Sequence, residues 1–158
     1  MAWDLDPIDR RILGLLQRDA SLSTSEVASL VGLSQSPCWR RIERLETSGY
    51  ILRRVALLDA HKLGLNMMVF AHVKLQSHGK AQLPQFEEAI RSMPEVVECY
   101  TVLGDTDYIL RIVTRDLPAY EAFVREQLGQ IASVQFTRST IALSAVKSTT
   151  ELPLELLG

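Results

Sequence analysis

Five arginines crowd a short stretch of the chain: Arg40, Arg41 and Arg44, then Arg53 and Arg54, with only Glu43 and Glu46 among them. Guanidinium groups at this density suit phosphate oxygens, and one that reaches a guanine edge makes a pair of hydrogen bonds. Gln35 and Ser36, just upstream, could reach other base edges. A second constellation is Gly104-Asp105-Thr106-Asp107-Tyr108. Glycine and aspartate suit a tight turn, so one reading is a plain hairpin loop. Turn N–H groups could hold a carboxylate while an aspartate holds an ammonium, which together match an amino-acid zwitterion. Two carboxylates two residues apart could also take a metal ion. From the residues alone all three readings stand.

The arginines need a rigid carrier, and the first third of the chain supplies helices. Ile8, Ile12, Leu15 and Leu16 share one helical face, with Asp6-Pro7 as the start signal. Ser23 with Glu26 reads as a capping box opening a second, shorter helix that buries Val27, Leu30 and Val31 and stops at Gly32. A third helix follows, capped by Ser34 or Ser36, with Pro37 in its first turn and Gly49 at its end. Cys38, Ile42 and Leu45 face its core side, so Ser36, Arg40, Glu43 and Thr47 point away, with Trp39 and Arg44 on the shoulders. Two helices around a tight glycine turn form the helix-turn-helix pattern, and an exposed arginine-led face is what major-groove reading requires. Arg40 is the expected base reader; Arg41, Arg44, Arg53 and Arg54 are expected on phosphates. The bland alternative is a solvated face on a structural helix. Trp39 is expected with its ring packed and its N–H outward, and Cys38 as a small buried hydrophobe. Ile51 to Leu58 reads as a short strand.

The second constellation sits in a stretch of different character. Met67 to Leu75, Val96 to Leu103, Tyr108 to Thr114 and Val134 to Leu143 read as strands. Phe86, Ile90 and Met93 mark one helix between them, and Tyr120, Phe123, Val124 and Ile131 the other. Strand, helix, strand, strand, helix, strand is the ferredoxin-like order. Two helices cover one sheet face, so the other face calls for a second copy. The expected class is therefore α+β, with a helix-turn-helix followed by a short strand over residues 1–58, a linker over 59–66, and a ferredoxin-like βαββαβ domain over 67–158.

Composition narrows the function. The 158 residues carry a net charge of −2, which argues against a wholly basic nucleic-acid binder. Residues 1–64 hold nine Lys/Arg and eight Asp/Glu, the remainder eight and eleven, so the basic patch is local. Neither a bilayer-spanning apolar run nor a secretory leader stands out, and two cysteines make no disulfide framework; a soluble cytoplasmic protein is expected. His61, His72 and His78 lack companions at zinc spacing. No phosphate-cradling glycine loop and no Gly-x-Ser-x-Gly elbow occurs, so an enzyme is disfavoured and no cofactor is expected.

The motifs resemble those of the Lrp/AsnC family of leucine- and asparagine-responsive regulators of bacteria and archaea. In the first part the resemblance rests on Leu5-Asp6-Pro7-Ile8-Asp9-Arg10-Arg11-Ile12-Leu13, on Leu33 to Glu46, and on Gly49-Tyr50-Ile51. In the second it rests on Met93-Pro94-Glu95-Val96, Gly104 to Tyr108, and Leu110. It implies an N-terminal winged helix-turn-helix and a C-terminal effector and oligomerisation domain, in a regulator that reads double-stranded DNA as a dimer, tetramer or octamer and responds to a small amino acid held near the glycine-aspartate loop. Carried onto this chain, the DNA set is Ser34, Gln35, Ser36, Trp39, Arg40, Arg41, Arg44, Arg53 and Arg54. The effector set is Leu103, Gly104, Asp105, Thr106 and Asp107, completed by Thr137, Arg138 and Thr140. Trp39 and the ending Ser148 to Pro153 are similar to a branch containing a cysteine-responsive regulator of cysteine degradation. The rival readings are a metabolic sensor subunit and an architectural DNA protein without an effector.

Overall fold

The computed structural model describes residues 5–76 and 82–157, in two compact units. The expected loop position of His78 lies outside the described residues.

The first unit is helical. α1 (Pro7–Arg18) starts where Asp6 accepts a hydrogen bond from the Asp9 N–H at 2.8 Å, with Pro7 in the first turn. α2 (Thr24–Val31) opens on a complete capping box between Ser23 and Glu26 and ends at Gly32, whose φ of 76° is left-handed. α3 (Gln35–Thr47) has Ser34 at its cap position, without a side-chain capping bond. Ile12, Leu16, Val27, Ala28, Val31, Cys38, Ile42 and Leu45 form the core between the three helices.

One expectation needs correction here. Ile51 to Leu58 forms no strand, and no β-ladder forms in the helical unit among the described residues. An isolated extended segment leaves its ladder groups to water, and Leu52, Leu57 and Leu58 of this stretch are exposed at 90%, 73% and 75%. The chain end from Lys147 onward, which follows the second domain in sequence, makes its contacts within the helical unit. Gln17 and Leu152 exchange two hydrogen bonds, side-chain amide to backbone carbonyl and backbone N–H to side-chain oxygen, at 3.2 and 3.0 Å. Arg18 pairs with Glu151 at 3.0 Å, and Leu154 lies over Gly14. Arg10, Gly14, Gln17 and Arg18 fall on one face of α1, opposite its core stripe of Ile12 and Leu16.

The second unit runs β1 (Met67–Leu75), α4 (Gln82–Arg91), β2 (Val96–Thr101), β3 (Tyr108–Thr114), α5 (Leu117–Glu126) and β4 (Val134–Ala142). The sheet order is β2-β3-β1-β4, antiparallel throughout, as the ferredoxin-like reading requires. β2 ends at Thr101 and β4 at Ala142, so Val102, Leu103 and Leu143 fall outside the strands they were expected to close. The alternating burial of β3 packs Tyr108, Leu110 and Ile112 against Phe86, Ile90, Tyr120 and Phe123 of the helices. The opposite face leaves Phe70, Tyr100 and Phe136 exposed at 36%, 57% and 42%.

Candidate nucleic-acid interface and ligand loop

α3 carries its functional face because its core face is fixed. Cys38, Ile42 and Leu45 are 0%, 5% and 0% exposed, and at 100° per residue this turns Ser36, Arg40 and Glu43 outward. Gln35, Ser36, Trp39 and Arg40 are all exposed, Trp39 at 52%. Burial pushes the Cys38 thiol pKa up, which keeps it protonated and inert.

The arginines divide into two groups. Arg41 Nη1 sits 2.6 Å from Asp6 Oδ2 and 2.8 Å from Asp9 Oδ1, and Arg44 Nη2 sits 3.0 and 2.9 Å from the two oxygens of Asp9. Asp9 is fully buried. The Asp9 N–H and the Arg41 guanidinium together hold the Asp6 carboxyl below its ordinary range, and the same two acids raise the Arg41 pKa. Arg54 pairs with Glu46 at 3.0 Å. Arg40 and Arg53 are exposed. The structure thus engages Arg41, Arg44 and Arg54 with protein acids, where sequence reading assigned them to phosphates. Sequence reasoning missed Asp9, although a signal was there: Asp9, Ile12 and Leu16 are spaced i, i+3, i+7, so a carboxylate falls on the apolar stripe and demands cationic partners.

The β2–β3 loop is built around Asp107. Its carboxylate accepts from Lys74 Nζ at 3.1 Å and from the Leu75 N–H at 2.8 Å, while its own N–H donates to the Val73 carbonyl at 2.9 Å. Leu103 and Asp105 are exposed, and Gly104 has a φ of 154° that an L-residue rarely adopts. Thr106 is half-buried. The three β4 residues expected to complete this site do not share one face. Thr137 lies opposite Val73, on the helix-covered side; Arg138 and Thr140 lie opposite His72 and Phe70, on the open side. Among the described residues no group of three or more His, Cys, Asp or Glu stands close enough to hold a metal ion, so Asp105 and Asp107 lack the companions a metal site needs. Two grooves of about 910 and 670 Å³ flank the chain end in the helical unit, the smaller lined mainly by leucines such as Leu13, Leu16, Leu52 and Leu156.

Comparison with known proteins assigns both halves. Residues 5–46 match the AsnC-type helix-turn-helix domain and residues 68–152 the Lrp/AsnC ligand binding domain. The chain belongs to the Lrp/AsnC family. It is 36% identical to the DNA-binding transcriptional activator DecR of Escherichia coli K12, covering 96% of this chain and 99% of that one. Its fold superposes with a TM-score of 0.91 on an AsnC family transcriptional regulator from Agrobacterium tumefaciens, at 44% identity over 95% and 97% of the two chains. A transcriptional regulator from Neisseria meningitidis, solved as a complex with L-Met, gives a TM-score of 0.92 at 35% identity over the same shares. Lrp/AsnC proteins are transcriptional regulators rather than enzymes, and this chain is a DNA-binding regulator of that type. Among the described residues no helix is long and apolar enough to cross a membrane.

Proposed function

We propose that the chain reads duplex DNA through the amino-terminal half of α3, as a homo-oligomer, and that a small amino acid bound near the β2–β3 loop sets the assembly state and so the DNA affinity. Gln35, Ser36, Trp39 and Arg40 are the base-reading set, with Arg40 on a guanine edge. Ser34, at the start of α3, and Arg53 face phosphates; Arg41, Arg44 and Arg54 are paired with Asp6, Asp9 and Glu46. The observation that carries this reading is the exposure of Gln35, Ser36, Trp39 and Arg40 on a helix whose other side is locked into a core.

On the ligand side, the loop N–H groups from Leu103 to Thr106 take the carboxylate and the acidic loop residues take the ammonium. Asp107, through Lys74 and the Leu75 N–H, holds the loop in shape. Arg138 and Thr140, on the open face, complete the site from a neighbouring copy whose open sheet face supplies the oligomer contact, while Thr137, on the helix-covered side, supports β4 from behind. Methionine, present in the Neisseria relative's structure, and cysteine, suggested by Trp39 and the Ser148–Pro153 ending, are the first effectors to try.

The test uses a duplex selected by the full chain from a random library. Arg40→Ala should weaken binding to that duplex by about 1–3 kcal/mol in an anisotropy titration, and unchanged affinity removes Arg40 from base reading. A thermal-shift screen of the amino acids should give at least one hit that also changes the light-scattering mass. If no amino acid stabilises the chain, the architectural reading replaces the effector reading.

A further inference from the structure

The Asp6, Asp9, Arg41 and Arg44 cluster is a closed charge set, two acids and two bases, joining the start of α1 to one shoulder of α3. Both oxygens of the fully buried Asp9 are used by guanidinium groups, and Asp6 takes the Asp9 N–H with its other oxygen at 2.8 Å. On the α3 wheel, with the core centred on Cys38, Arg41 and Arg44 occupy the shoulder beside Arg40, while Gln35 and Trp39 lie on the other side. Among the described residues no backbone hydrogen bond runs from one packed helix to another, so beyond the short turn that joins it to α2, side chains decide how α3 is rolled about its axis. Apolar contacts are non-directional. The paired oxygens of Asp9 against two guanidinium groups are directional.

We propose that Asp9 is a positioning residue for DNA recognition. It fixes the roll of α3, and it withholds Arg41 and Arg44 from the DNA backbone. A roll of about 10° at the helix's outer radius of roughly 6 Å moves a side-chain root by about 1 Å, which is enough to spoil a two-point hydrogen bond from Arg40. Two guanidinium groups held by carboxylates release no counterions on binding DNA, so the chain's salt dependence comes from other cations. This inference rests on the reading of α3 as the recognition helix.

The experiment compares full-length variants on the duplex selected by the wild-type chain and on a scrambled duplex of the same composition, as a function of salt. Each is measured at a temperature where circular dichroism shows it folded. Asp9→Asn should reduce the preference for the selected duplex by about 10- to 100-fold, and the salt slope on scrambled DNA should steepen by up to about two as Arg41 and Arg44 become free. Asp9→Glu, which keeps the charge, should recover part of the preference. Leu16→Ala, which destabilises the same core without touching the charges, should keep both preference and slope. Should Asp9→Asn not fold, the triple variant Asp9→Asn, Arg41→Gln, Arg44→Gln removes both signs of charge together; it should lose the preference with the slope unchanged. The proposal is overturned if Asp9→Asn behaves like Leu16→Ala, if the triple variant keeps its preference, or if Arg41→Gln or Arg44→Gln alone makes the slope shallower by about one. If the wild-type chain selects no duplex at all, the recognition reading itself has failed; a retained preference in the variants sinks only the role of Asp9.

Discussion

Among the described residues the helical unit buries a whole charged side chain, and the sheet unit does not. Among the described residues the buried polar or charged side chains are Asp9 in the first and Thr114 in the second. The sheet unit has a backbone ladder that fixes orientation: Ala71 is held opposite Leu110 on one side and Ser139 on the other, and a slip of one residue would turn Val69, Val73 and Ile112 out of the core. Its interior can therefore be largely apolar, the hydroxyls of Tyr108, Thr114 and Tyr120 each reaching a partner at its margin, Tyr108 donating to Glu87 at 3.1 Å. Three packed helices have no such ladder between them. Their mutual orientation rests on side chains, and the charged set around Asp9 supplies the direction that Ile12, Leu16 and Ile42 cannot. The difference shows where each unit is vulnerable: the helical one to loss of a charge partner, the sheet one to anything that charges its core.

The largest effect should come from breaking the charged set on one side only. Asp9→Ala removes the buried carboxylate that Arg41 and Arg44 share and should destabilise the helical unit by about 3–5 kcal/mol, the range for removing one partner of a buried pair. Replacing the set together, Asp9→Leu with Arg41→Met and Arg44→Met, should cost far less or even stabilise. Denaturant unfolding followed at Trp39, against hydrogen exchange in β1 and β3, separates the two units. If the single and triple variants lose equal stability, the cluster contributes packing rather than paired charge, and the contrast between the units disappears.

A smaller effect should mark the sheet unit at high pH. Burial, reinforced by the bond to Glu87, pushes the Tyr108 hydroxyl up to about 12. A raised pKa means that the neutral form is favoured in the folded state. Its contribution is complete below the unfolded tyrosine value near 10 and disappears as pH rises through 12, amounting to about 2–3 kcal/mol. Tyr108→Phe should flatten that alkaline decline in the sheet unit's melting while leaving the helical unit's profile alone. The helical unit has the opposite sign, because the Asp6 carboxyl is held low; its contribution is present above pH 4 and fades on acidification below it. A common pH profile for both units would show that they unfold as one.

Much of this architecture was readable from the residues because it is written in local signals. The Asp6-Pro7 start, the Ser23–Glu26 box, Gly32 and the alternation of β3 each act within a few positions, and each element stands where those signals put it. The misread parts depend on partners distant in sequence. Ile51 to Leu58 has strand composition but nothing to pair with in its unit. Arg41 and Arg44 look like phosphate ligands until Asp9, more than 30 positions upstream, is seen beneath them. Thr137 was grouped with Arg138 and Thr140 by proximity in sequence, yet the pleat of β4 sends it to the other face. The chain end follows the sheet unit in sequence, and Arg10, Gly14, Gln17 and Arg18 became meaningful as a stripe only once something lay against them.

That stripe gives the smallest effect and the finest test of the comparison, since it asks whether the helical unit is complete without a segment that follows the sheet unit in sequence. A chain ending at Val146 loses the two Gln17–Leu152 hydrogen bonds, the Arg18–Glu151 pair and the cover of Leu154 over Gly14. The ion pair is exposed and adds little; each hydrogen bond is worth about 0.5–1.5 kcal/mol net, and the ordering of a dozen residues opposes them. A net loss of about 1–2 kcal/mol is expected, confined to the helical unit and read as faster hydrogen exchange in α1 with β1 and β3 unchanged. Gln17→Ala in the full chain should give part of the same loss, because it removes both hydrogen bonds with one side chain. Faster exchange in the strands instead would return the chain end to the sheet unit, where its place in the sequence first suggested it belonged.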